Sequence, residues 1–212
     1  LVYLPKGLKY DDTTYLLVET TNTGLNDSIE HHEKGARYAA SRSSVGNFVA
    51  KKLKLPLLVP IFPRSATNWM YYTHALDRET LLSREFGIER LDLQLLSMIK
   101  DAKMKLVSNR VFLKDKFFIT GFSASGTFAN RFSILHAEKI RATASGGING
   151  IAILPVNRLN GKELDYPLGI ADLKKITGKQ VNMEAFKQLP KLLYMGEKDE
   201  NDAVAYDDAY SK

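Results

Sequence analysis

The feature that most constrains this chain is a strand that runs straight into a tight turn and then a helix. Phe117-Phe118-Ile119-Thr120 leads into Gly121-Phe122-Ser123-Ala124-Ser125-Gly126. Helical periodicity resumes at Thr127, with Phe128, Phe132 and Leu135 on one side. So sharp a turn holds its central residue, Ser123, in a strained conformation, and it needs small residues two positions before and two after. Gly121 and Ser125 meet that need, Ser125 standing where the pattern G-x-S-x-G has its second glycine, and Gly126 adds room at the helix start. The helix N-terminus also brings free N–H groups and the positive end of a dipole toward Ser123, which favours negative charge there. A phosphate-cradling loop is the competing reading. A dinucleotide loop needs G-x-G-x-x-G and a P-loop needs G-K-[ST], and neither is present.

Around this turn, short apolar runs alternate with longer segments of helical period. Leu1 to Pro5, Tyr15 to Glu19, Leu57 to Phe62, Lys116 to Thr120, Ala142 to Gly150 and Leu192 to Gly196 read as strands. Asn26 to Leu53 reads as helix, with Asp27 and Glu30 spaced as a capping box and Ala36, Ala39, Ala40, Val45, Phe48 and Val49 on one stripe. Ile88 to Leu106 is helical again, through Leu91, Leu95, Met98, Ile99 and Ala102. Such alternation predicts an α/β fold, a three-layer α/β/α sandwich on a mostly parallel, doubly wound sheet. The 212 residues suit a single domain, 1–212, with a cap or insertion expected at 151–189.

After the last strand comes Glu197-Lys198-Asp199-Glu200-Asn201-Asp202, and after the second strand comes Thr20-Thr21-Asn22-Thr23-Gly24. With the turn at Ser123, these residues carry a resemblance to the α/β-hydrolase superfamily, and within it the chain is similar to the poly(3-hydroxybutyrate) depolymerase-like and carboxylesterase-like group. The resemblance implies a serine hydrolase that cleaves carboxylic esters, small or polymeric, through an acyl-enzyme on Ser123. It makes Asp199 the acid that orients a histidine, with Asp202 as runner-up; the bland alternative is a solvated acidic loop, since Asp207 and Asp208 continue the run. Ala124 N–H would form one half of the oxyanion hole, and Asn22 or Thr23 the other. Asn-Thr-Gly is equally a good turn with no chemistry. Trp69, Tyr71, Tyr72 and His74, in the aromatic stretch 63–82, are expected to shape the substrate pocket, the alternative being surface packing.

One part of the pattern is missing. The triad needs a histidine after the acid, yet His31, His32, His74 and His136 all precede Asp199. The resemblance therefore implies that the final strand, the histidine loop and the last helix lie outside these residues. His136, on the helix after Ser123, is expected too far along to reach it. His31-His32-Glu33 has no second liganding cluster, so a solvated helix face is expected there and no metal. Two rival functions remain: a serine peptidase of the same fold, and a hydrolase-fold binding protein without turnover.

Composition narrows the rest. Without cysteine there is no disulfide, thiolate metal site or cysteine nucleophile. The net charge of +6 is spread along the chain with no basic cluster interleaved by aromatics, the pattern of a solvated surface rather than a nucleic-acid footprint. No apolar run reaches membrane-spanning length. Serine hydrolysis calls for no cofactor.

Overall fold

A computed structural model describes residues 1–85, 87–148 and 150–199. Six strands form the main sheet: β1 (Val2–Tyr3), β2 (Leu17–Glu19), β3 (Leu57–Leu58), β4 (Phe117–Phe122), β5 (Ile140–Gly146) and β6 (Lys191–Tyr194). Their spatial order is β1-β3-β2-β4-β5-β6. Only β1 runs antiparallel, against β3; every other pairing is parallel. From β2 the chain winds outward through β3, then returns to lay β4 on the other side of β2 and proceeds to β5 and β6. The winding reverses between β2 and β4, where Glu19 pairs with Thr120. In open sheets of this kind, ligands bind beyond the carboxyl ends of the strands at that point.

The α/β/α sandwich follows from strand alternation. Successive residues of β2 point to opposite faces. Leu17 packs with Ala36 and Ala40 of α1 (Ile29–Ser41) and Ala50 of α2 (Val45–Leu53). Leu16 and Val18 face the larger core, with Leu95 and Ile99 of α3 (Leu91–Val107) and Phe128 and Phe132 of α4 (Ala124–Leu135). The segment 151–189, expected as a cap, contributes to this same core: Tyr166, Leu173, Phe186 and Leu189 are all buried in it. Its small hairpin, Arg158–Leu159 against Lys162–Glu163, is exposed. Strand β6 forms the edge of the described sheet, and all four of its residues are exposed.

Two helical expectations need correction. The stretch 26–53 is two helices, not one, because Ser44 takes an extended conformation and caps α2, its side chain accepting from Asn47 N–H. The break rotates the second half, so Phe48 is 69% exposed and Val45 39% rather than on a shared buried stripe. Nor does Asp27 cap α1. Ser28 does, accepting from His31 N–H. Asp27 instead takes hydrogen bonds from Ser65, Ala66 and Thr67 and anchors that loop.

Candidate active site

Ser123 links β4 to α4 with φ 59° and ψ −130°, a left-handed backbone that no L-residue adopts without strain. Three contacts hold it there. Ser123 N–H donates to Gly146 O at 2.9 Å, tying the turn to β5, and Thr127 N–H donates to Ser123 O at 2.9 Å as α4 begins. The third is steric: a Cβ on Gly121 would lie 2.2 Å from Ser125 O, and one on Gly126 would lie 2.3 Å from Gly146 O. Ser125 is accommodated in place of glycine because its hydroxyl donates to Phe122 O and accepts from Phe122 N–H, both at 2.9 Å. Ser123 itself is half-buried and opens toward solvent. Since glycine relieves left-handed strain that alanine retains, a Ser123→Gly variant should be more stable than Ser123→Ala by about 1 kcal/mol in urea unfolding. Equal midpoints would mean that the turn relaxes elsewhere.

Ala124 is buried and supplies one of the first N–H groups of α4, which have no partner within the helix. The loop after β2 comes to the same edge, since Thr20 Oγ1 donates to Ser125 O at 3.2 Å. In that loop Asn22 is exposed and Thr23 half-buried. Thr23 Oγ1 lies 2.6 Å from His32 Nδ1, and its methyl sits against α1, where a Cβ on Gly35 would meet it at 2.2 Å. Glu19, at the end of β2, is locked away from this edge: Ser44 Oγ and, at 2.9 Å, Gly46 N–H donate to its carboxylate. Burial pushes its pKa up, the two donors opposing.

The loop after β6 also arrives here, because Tyr194 pairs with Gly146, and Gly147 N–H donates to Tyr194 O. Asp199 is exposed, with its N–H on Gly196 O at 3.1 Å. Asp202 lies outside the described residues. The turn at Ser123, the 20–24 loop and the 195–199 loop thus leave the carboxyl ends of three parallel strands, β4, β2 and β6.

The histidines lie elsewhere. His32 is buried, not on a solvated helix face: Nε2 contacts Asn26 O at 2.8 Å and Arg64 N at 3.1 Å, binding α1 to two loops. His74 is fully buried, its Nε2 3.0 Å from Phe62 O, and burial lowers its pKa to about 4. That burial takes the ring out of any solvent-open pocket. Trp69 is 61% exposed, and Tyr71 donates its hydroxyl to Glu85 at 2.9 Å. His136 closes α4 and contacts Asp92 at 2.8 Å. Among the described residues no histidine hydrogen-bonds Ser123, and no group of three or more His, Asp or Glu side chains is arranged to hold a metal ion. Arg64, which no sequence motif singles out, joins the 20–27 loop to the aromatic stretch. Its one local signal is its position after the apolar run 57–62.

No family model and no curated protein sequence matches the chain. Solved structures do. Poly(aspartic acid) hydrolase-1 from Sphingomonas sp. KT-1 superposes with a TM-score of 0.61 at 17% identity, over 99% of this chain and 72% of that one. A poly(3-hydroxybutyrate) depolymerase from Bordetella parapertussis superposes with a TM-score of 0.51 at 16% identity. There the match covers 93% of this chain and only 59% of the depolymerase. With the sheet order, the parallel pairing and the strained turn after the central strand, these likenesses show that the chain has the α/β-hydrolase fold.

Proposed function

We propose that the chain carries the nucleophile of a serine hydrolase acting on carboxylic esters. Ser123 Oγ attacks the ester carbonyl, the alcohol leaves, and water then hydrolyses the acyl-enzyme. Ala124 N–H and the Asn22/Thr23 loop receive the oxyanion, and Asp199, or Asp202 behind it, orients the histidine that takes the Ser123 proton. We take that histidine from outside these residues: His32, His74 and His136 are engaged elsewhere, and the exposed His31 on α1 makes no hydrogen bond to Ser123. The observation that carries the reading is the left-handed Ser123 at the switch point of the sheet, a strain that structural packing alone gives no reason to keep. Two of the hydrolases that superpose are named for polymers, poly(aspartic acid) and poly(3-hydroxybutyrate), which makes a polymeric or oligomeric substrate the first to try.

A neutral fluorophosphonate probe, incubated with the intact protein including the part that supplies this histidine and read by intact mass, should add once at Ser123 and not at all to Ser123→Ala. Labelling that survives the substitution would falsify the assignment. One observation favours a rival, a hydrolase-fold binding protein without turnover: no described histidine reaches Ser123. If the probe leaves the unsubstituted protein untouched, that rival stands.

A further inference from the structure

The 20–24 loop leaves β2 beside the turn at Ser123. Glu19 pairs with Thr120, and one residue later Thr20 Oγ1 donates to Ser125 O at 3.2 Å, so the loop starts against the first turn of α4. A surface segment such as Asn22-Thr23-Gly24 would ordinarily be among the more mobile parts of a fold. Here one of its side chains is turned inward. Thr23 Oγ1 lies 2.6 Å from His32 Nδ1 of α1, and the Thr23 methyl occupies the space of the missing Gly35 side chain, where a Cβ would meet it at 2.2 Å. Arg64 Nη1 adds a longer contact to Thr23 O, 3.4 Å. Asn22, next to this anchor, stays exposed.

His32 can hold Thr23 still because it is itself held. The residue is buried, and its second nitrogen, Nε2, contacts Asn26 O at 2.8 Å and Arg64 N at 3.1 Å. The rings of His31 and His74 lie nearly perpendicular to its own, with centroids 5.3 and 5.6 Å away. The imidazole cannot tilt without straining contacts at both nitrogens. A hydroxyl engaged by a fixed ring loses its rotational freedom, and the peptide groups on either side of Thr23 are fixed with it.

We propose that His32 is a positioning residue: by holding Thr23 against α1, it sets the 22–24 loop as the second half of the oxyanion site. It acts through Thr23 and touches no substrate. The inference rests on the reading of Ser123 as nucleophile and of this loop as oxyanion-binding. A donor displaced by about 1 Å costs up to about a hundredfold in rate.

Asparagine and glutamine separate the two nitrogens of His32, since an Asn side chain reaches about as far as Nδ1 and a Gln side chain about as far as Nε2. His32→Gln should therefore keep Asn26 and Arg64 but release Thr23, and His32→Asn should keep Thr23. The quantity measured is the second-order rate of fluorophosphonate addition at Ser123, in the intact protein with the part that supplies the catalytic histidine. The phosphoryl oxygen gains charge during addition as an ester carbonyl does. His32→Gln should slow addition by about tenfold to a hundredfold, and lower kcat for a p-nitrophenyl ester with KM nearly unchanged. His32→Asn should recover most of the rate. Thr23→Val, which keeps the methyl and removes the hydroxyl, should match His32→Gln, and the double variant should be no slower than either. The proposal is overturned if His32→Gln reacts at the parent rate, if His32→Asn is as slow as His32→Gln, or if the two losses multiply in the double variant. Should a His32 variant fail to melt like the parent, Thr23→Val decides alone, and a parent rate there overturns the proposal. A parent that takes no label overturns the Ser123 reading and this one with it, whereas failure in the variants alone leaves Ser123 standing.

Discussion

Gly126→Ala should unfold at markedly lower urea concentration than the parent, with a loss of about 3 kcal/mol or more. The added methyl would meet Gly146 O at 2.3 Å, with Gly121 O at 3.1 Å and Gly146 N at 3.2 Å, and all three are backbone atoms. No side chain can swing aside to make room. Relief requires α4 to move off β4 and β5, which breaks the Ser123 to Gly146 hydrogen bond and opens the stacked rings of Phe62, Phe128 and Phe132. Against a typical total of about 5–15 kcal/mol, that is a large fraction. Gly24→Ala is the matched control, since nothing lies within 4 Å of its missing Cβ. Similar midpoints for the two variants would show that α4 is not pressed against the sheet as tightly as its geometry states.

The second large effect belongs to Asp92, at the start of α3. Its carboxylate is fully buried and takes Arg90 Nε and Nη2 at 2.8 Å each and His136 Nε2 at 2.8 Å. This cluster joins the start of α3 to the end of α4, and Arg90 reaches on to Thr177 O. Asp92→Ala leaves a guanidinium and a buried imidazole without their acceptor, and the expected loss is about 3–5 kcal/mol. Its pH dependence gives a second readout. Burial pushes the Asp92 pKa up, but the Arg90 fork and His136 outweigh it and hold the group at about 2, below its ordinary 3.8. A carboxylate depressed in the folded state stabilises above its unfolded pKa and loses that stabilisation as pH falls through its folded one. Unfolding free energy should therefore drop by roughly 2 kcal/mol between pH 4 and pH 2 on account of this group. Asp92→Asn should lack that part of the drop. An identical slope in parent and variant would place the acid sensitivity elsewhere.

Most of the architecture was legible because it is written locally. Apolar runs such as Leu57-Leu58-Val59 and the turn at Gly121 to Gly126 depend on neighbours in sequence, and they stand where periodicity and turn chemistry put them. What escaped is long-range. Nothing near Asp27 reveals that Ser65 and Thr67 will claim it, so its spacing to Glu30 suggested a cap that Ser28 fills instead. The same holds for Phe48: the break at Ser44 turns it outward, a change that a stripe drawn through one continuous helix conceals. His32 is the sharpest case, since a histidine beside another on a charged helix reads as solvated until two loops fold over it. Of the candidate site, Ser123 and Ala124 were readable from the turn alone. Arg64 was not, because the two segments it joins meet only in three dimensions.

The strand order also sets a timetable. Leu17 to Glu19 pair with Phe118 to Thr120, residues about a hundred positions later in the chain. During synthesis β2 can gain β3 early, but its other edge stays open until β4 has been made, and its apolar side chains stay uncovered on the α4 face. The centre of the sheet thus closes late, and the turn bearing Ser123 is completed only after β5 arrives to offer Gly146 O. Contacts of such sequence separation slow folding and lengthen the interval in which a bare strand edge can find the wrong partner. For a chain built this way, the strained turn is the last piece of the centre to set.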